Sequence, residues 1–139
     1  MKTLVLAASL SLLALGSCTK GDDPDIKINT LKAKIDGSTM TAEEIAWSML
    51  NGQLQLQGTN GSRTVTIKVP RYEGKGSYVL SATDNEANSK VSNTVYTKGT
   101  GMLIIMIDDS HYLKGKFSFS AEAAGKQVKV EDGDFSFSK

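Results

Sequence analysis

The chain of 139 residues is poor in the residues that most often carry chemistry: one cysteine, one histidine, one tryptophan and two prolines. A lone cysteine excludes an internal disulfide, so nothing covalent cross-links the fold. A lone histidine cannot build a zinc site of the usual kind. The sequence has no Gly-x-Ser-x-Gly elbow to accompany a Ser-His-Asp arrangement. No apolar run reaches the ~20 residues a spanning helix requires. Charge of one sign is also missing: 16 Lys and Arg stand against 15 Asp and Glu. Without a basic stripe the electrostatic footprint of nucleic-acid binding is absent, and nucleic acid is not expected as a partner.

What is present begins at the amino terminus. Lys2 precedes Leu4–Leu15, an uncharged run interrupted only by two serines. Its length suits the hydrophobic region of a signal peptide. Leu15-Gly16-Ser17-Cys18 resembles the lipobox of bacterial lipoproteins. That resemblance implies cleavage after residue 17 and a lipid on Cys18, which also explains an unpaired thiol in an exported chain. Removing residues 1–17 takes away Lys2 and leaves 15 basic against 15 acidic residues. Residues 18–25 read as the lipidated cysteine and a tether, with Gly21, Asp22, Asp23 and Pro24 favouring an extended, solvated chain. The acidic pair resembles the export signal of surface lipoproteins in the Bacteroidota, which implies an outer-membrane lipoprotein exposed at the cell surface.

Residues 26–139 read as a single all-β domain. Ile26 and Ile28 open a strand that changes phase near Asn29-Thr30, after which Leu31, Ala33 and Ile35 share one face. Asp36-Gly37, Asn51-Gly52 and Asn60-Gly61 are two-residue hairpin signals. Ile45, Trp47 and Met49 alternate between the first two of these turns, favouring strand over the helix that Thr41-Ala-Glu-Glu could cap. Val65, Ile67 and Val69 alternate up to Pro70, which cannot donate to a ladder. A glycine-rich corner leads into Ser77–Leu80, and the polar stretch Ala82–Ser89 reads as a loop.

Val91, Asn93 and Val95 form a weak strand. Met102–Ile107 is apolar on both faces, as expected of a strand covered on two sides. Asp108–Tyr112 turns the chain into Leu113, Phe117 and Phe119, with Gly115 at a bulge or close approach. Ala124-Gly125 turns again, and the phase flips across Asp132-Gly133 to place Phe135 and Phe137, with the glycine supplying positive φ. About nine strands joined by short turns predict an antiparallel meander closed as a β-sandwich, with a small lipocalin-like barrel as the alternative.

Several segments resemble a family of small Bacteroidota lipoproteins classed as a domain of unknown function. They are Ala33–Gly37, the Gly76-Ser77-Tyr78 corner, Gly115–Phe119 and the closing Gly133-Asp134-Phe135. The resemblance implies localisation and fold and supplies no activity.

The chemistry-bearing residues are scattered. His111 lies in a polar turn beside Asp108 and Asp109. Asp84, Asn85, Glu86 and Asn88 share one segment, and Glu131, Asp132 and Asp134 another. Calcium takes roughly six to eight oxygens, and neither segment has the spacing of a known calcium loop. Glycoside hydrolysis needs two carboxyls across a cleft, and the sequence brings no two of Glu73, Glu86, Asp108 and Asp109 together. No enzyme, metal or cofactor is therefore expected. Trp47 is in phase with core residues, whereas Tyr72 and Tyr112 adjoin turns and are the candidate ligand-binding aromatics. The sequence predicts a membrane-attached binding or accessory module for a glycan, peptide or envelope protein. The alternative is a small-ligand carrier with a barrel cavity lined by Trp47, Met102–Ile107 and Phe117.

Overall fold

A computed structural model describes residues 29–139. The segments expected to be a signal peptide and tether, with Cys18, Ile26 and Ile28, lie outside these residues. Among the described residues the structure is all-β and antiparallel, as the alternation predicts. Its strands are β1 (Thr30–Ile35), β2 (Ser38–Thr41), β3 (Glu44–Leu50), β4 (Gln53–Asn60), β5 (Arg63–Val69), β6 (Gly76–Leu80), β7 (Glu86–Val91), β8 (Thr94–Asp108), β9 (Tyr112–Ala123) and β10 (Lys126–Ser138).

The strands form one curled sheet in the order β2-β1-β10-β9-β8-β7-β5-β4-β3, with β6 added beside β8. Strands β2 and β3 lie at opposite edges of that order, yet only Ala42 and Glu43 separate them in the chain. Curling therefore brings the two edges together at one corner. There Ala42 N–H donates to the Leu31 carbonyl and Glu43 N–H to the Thr59 carbonyl, each at 2.9 Å. Strand β8 bends the sheet on the other side. Its first residues pair with β7, and the remainder lies between β9 and β6. The bend sits at a register shift between Thr97 and Thr100, with Lys98 at φ 54. The result is a half-barrel, intermediate between the two architectures expected.

Alternation puts Leu31, Leu54, Leu56, Ile67, Leu103, Ile105, Leu113 and the phenylalanines inside. The aromatic rings form a continuous stack. Trp47 lies on Phe137 at 5.4 Å, Phe137 on Phe135 at 5.0 Å, and Phe135 on Phe117 at 6.3 Å. This stack ties β3 to the opposite sheet half and confirms Trp47 as a core-packing residue. The close approach expected at Gly115 is present: a Cβ there would lie 2.7 Å from the Phe135 ring.

Four local expectations are corrected. The polar loop Ala82–Ser89 contains most of β7. Its buried residues are Asn85, Ala87 and Ser89, so it lacks the large apolar signature of a strand. At Ala87 bent β8 leaves no room for a larger side chain: a Cβ on Gly99 would lie 2.8 Å from that of Ala87. The weak strand across Val91–Val95 is broken by a turn at Ser92-Asn93, with Ser92 at φ 55. The turn placed at Asn60-Gly61 occupies Gly61-Ser62. At the terminal phase flip the positive φ belongs to Asp132, at 50°, and not to Gly133. Gly133 is needed for space, since a Cβ would press on the Phe117 ring.

Two rims result. The proximal rim holds Asn29, the Asn51-Gly52 turn, residues 70–75, the Asp109–His111 turn and Lys139. The distal rim holds the Asp36-Gly37, Gly61-Ser62, Ser92-Asn93 and Ala124-Gly125 turns.

Candidate functional site

The proximal rim collects both tyrosines singled out by the sequence. Tyr72 leaves the end of β5, and its N–H donates to the Gly52 carbonyl at 2.7 Å. Its ring stacks on Tyr78 of β6 at 5.6 Å. Its hydroxyl donates to Asp108 Oδ2 at 2.7 Å, at the end of β8. Lys139 Nζ donates to the other oxygen of Asp108 and forms an ion pair with it. One carboxylate thus joins the exits of β5, β8 and β10.

The electrostatics follow from that geometry. Burial, the hydrogen bond to Asp108 and the charge of Asp108 all push the Tyr72 hydroxyl far above its usual range. Burial alone would raise Asp108, but the hydrogen bonds from Lys139 and Tyr72 outweigh it. The carboxyl is held below its ordinary value. Tyr72 is half-buried with its hydroxyl committed, an arrangement that locks a loop in place.

Tyr112 lies beyond the next turn and is 45% exposed. Lys114 Nζ sits 4.7 Å above its ring centre. Asp109 Oδ1 accepts from the backbone N–H groups of His111 and Tyr112, both at 2.8 Å. Those two bonds hold its carboxyl below the usual range. His111 is exposed, with Nδ1 2.9 Å from Ser110 Oγ. The structure therefore brings Tyr72 and Tyr112 to one rim, on either side of the Asp108-Asp109 pair, with only Tyr112 presenting its ring to solvent.

The oxygen-rich segments do not converge. Asn85 is largely buried and donates to the Val79 carbonyl at 2.8 Å, while Glu86 and Asn88 lie along β7. Among the described residues no three His, Cys, Asp or Glu side chains cluster as metal ligands. Of the positions expected to line a carrier cavity, Leu103, Ile105 and Phe117 are packed in the core and Trp47 stacks on Phe137.

The outer face of β8 corrects the expectation of double cover. Leu103 and Ile105 point inward, while Met102, Ile104, Met106 and Ile107 are exposed. Val79 of β6, 59% exposed, lies directly across from Met102. Val79, Met102, Ile104 (42% exposed) and Met106 make an apolar row on the convex surface. Met106 is displaced by the register shift between Ile105 and Ile107. On β9, Ser118 pairs with Met102 and Lys116 with Ile104. A shallow cleft of about 210 Å³ runs from Met102 and Ile104 past Lys116 to Asp132 and Gly133. Sequence reasoning saw the apolar residues but assigned them a covering layer. A contiguous apolar surface rimmed by polar groups is the usual mark of an interaction site.

A family model described as Domain of unknown function (DUF6252) matches residues 28–137. The chain belongs to that family, in agreement with the resemblance to a domain of unknown function. No curated protein and no solved structure matches the chain.

Proposed function

We propose that this member of a family of unknown function is a membrane-anchored envelope lipoprotein of the outer membrane, displayed at the cell surface. In this reading its β domain is a non-enzymatic binding or accessory module. Lipidation of Cys18 holds the chain at the bilayer, and the domain presents a docking face to a partner. The observation that carries the binding role is the exposed row Val79, Met102, Ile104 and Met106.

The partner that fits this row is an envelope protein or peptide with an apolar contact surface. Methionine is unbranched and polarisable, so Met102 and Met106 can repack around differing partners. Glycan recognition relies on exposed aromatic platforms, and here Trp47 stacks on Phe137, Tyr72 on Tyr78, and the exposed ring of Tyr112 has Lys114 Nζ over one face. Asp108 and Asp109 at the proximal rim are engaged in holding the fold, which favours a scaffold over a catalyst.

The test is a binding screen of the mature chain carrying Cys18→Ala against envelope proteins, peptides and glycans. A protein or peptide ligand should be found, and Met102→Lys or Ile104→Lys should abolish its binding while the fold persists. Absence of any ligand across a broad panel, or binding indifferent to both substitutions, overturns this reading. Separately, Cys18→Ala should move the protein from the membrane fraction to the soluble one.

A further inference from the structure

We infer that the proximal rim is a lipid-contacting surface, so that the domain stands on the bilayer with its distal rim pointing away. This rests on the Cys18 anchor proposed above and concerns a surface separate from the convex row. Three observations carry it.

The first is where the chain enters the domain. Asn29 lies at the proximal rim, its Oδ1 accepting from Ser138 N–H at 3.0 Å. Cys18 precedes it by 11 residues, a reach of at most ~40 Å at ~3.3–3.6 Å per residue. Strand β9 runs from the proximal to the distal rim over 12 residues, which is ~40 Å at ~3.4 Å each. The tether is no longer than the domain itself, and it joins the domain at the proximal rim, which makes that rim the part nearest the anchor's point of attachment.

The second is composition. Leu50 stands beside the Asn51-Gly52 turn and is 69% exposed, although no core contact requires a leucine there. Tyr112 and Ile107 are exposed at the neighbouring turn. Tyrosine is an interfacial residue, placing an apolar ring and a polar hydroxyl at headgroup depth. Arg71 and Lys75 are exposed in the adjoining loop and suit lipid phosphates, while Glu73 and Asp109 keep the rim near charge balance. Such a surface suits the headgroup boundary and needs no strongly anionic membrane.

The third is rigidity. Gly52 is bonded to Tyr72, Tyr72 to Asp108, Asp108 to Lys139, and Lys139 N–H to the His111 carbonyl at 2.9 Å. The two apolar points therefore belong to one braced platform. A braced surface adds a second, shallow attachment to a lipid anchor without an ordering cost at contact.

The experiment uses the lipidated chain in vesicles of phosphatidylethanolamine and phosphatidylglycerol. A nitroxide is placed on Gln53→Cys or Ser110→Cys at the proximal rim, or on Lys126→Cys at the distal rim. Collision with a soluble nickel chelate should fall severalfold at the first two positions relative to the third. Adding Leu50→Asp and Tyr112→Asp should restore collision at position 53 while the protein stays with the vesicles. Equal accessibility at all three positions in vesicle-bound protein overturns the inference and leaves the anchor intact. Protein that does not remain with the vesicles overturns the anchor reading and this one with it.

Discussion

The proximal and distal rims share hairpin chemistry and differ in what surrounds it. Asp36-Gly37, Asn51-Gly52 and Ala124-Gly125 each place both turn residues at positive φ, the type I′ geometry that matches strand twist. At the distal rim such turns are flanked by exposed, mostly polar side chains. At the proximal rim they are braced by Asp108, whose side chain is 15% exposed, and flanked by Leu50 and Tyr112. The distal turns are cross-linked as well, Ser92 N–H donating to the Ser62 carbonyl at 2.9 Å and Lys129 N–H to Asp36 Oδ1 at 2.8 Å. What sets the proximal rim apart is a largely buried carboxylate that joins three strand ends.

Substitutions at the two rims can break or sharpen that contrast, and the largest effect is expected in the aromatic stack below the proximal rim. Phe137→Ala should cost about 3–5 kcal/mol in denaturant unfolding, the usual range for a buried phenylalanine, and should also change Trp47 emission, since the rings stack at 5.4 Å. A smaller loss, with unchanged emission, would mean that the stack does not hold β3 to the opposite sheet half.

Next in size is Asp108→Asn, expected to cost about 1.5–3 kcal/mol as charge-assisted bonds to Lys139 and Tyr72 are lost. Asp132→Asn, at the exposed Lys34–Asp132 pair across β1 and β10, should cost no more than about 1 kcal/mol. The pH dependence follows from the depressed Asp108 value. Its stabilisation is complete above the ordinary carboxylate range and is lost as pH falls through the lowered folded value. Asp108→Asn should flatten that acid limb. Urea midpoints across the acid range measure both.

Ala124→Gly should stabilise the distal rim by about 1 kcal/mol, because a non-glycine residue at φ 48 carries the left-handed penalty. The same measurement on Leu50→Ser should show less than about 0.5 kcal/mol, as expected for an exposed side chain. A large loss there would assign Leu50 to the core of the fold and remove it from the proximal surface.

Much of the fold is legible in the sequence because glycine-containing turns and strict alternation report backbone geometry directly. Asp36-Gly37, Asn51-Gly52 and Ala124-Gly125 each locate a turn, and Leu54, Leu56, Val65, Ile67 and Val69 each point inward as their phase requires. Strand β7 escaped because the first inward positions are the small Ala87 and Ser89, and at Ala87 the limit is the bend of β8, a contact alternation does not report. The candidate site escaped for a related reason. Alternation can say that Met102 and Ile104 share a face, but an apolar second face reads the same whether the fold covers it or leaves it open. Tyr72 and Tyr112 are found through their turn-side settings, and tertiary contacts separate them: Tyr72 is braced by Asp108 and stacked on Tyr78, while Tyr112 is exposed.

Strand β1 pairs with β10, the last strand of the chain, with Thr30 opposite Ser136 and Leu31 opposite Phe135. The interior therefore cannot assemble progressively from the amino terminus: the sheet order places the earliest strand against the latest. Pairings of such long sequence separation form slowly, because a large loop must close before they are rewarded. Closure of this sheet waits on the carboxy-terminal strand: local hairpins such as β3-β4-β5 can pair early, but β1 has no neighbour beyond β2 until β10 arrives.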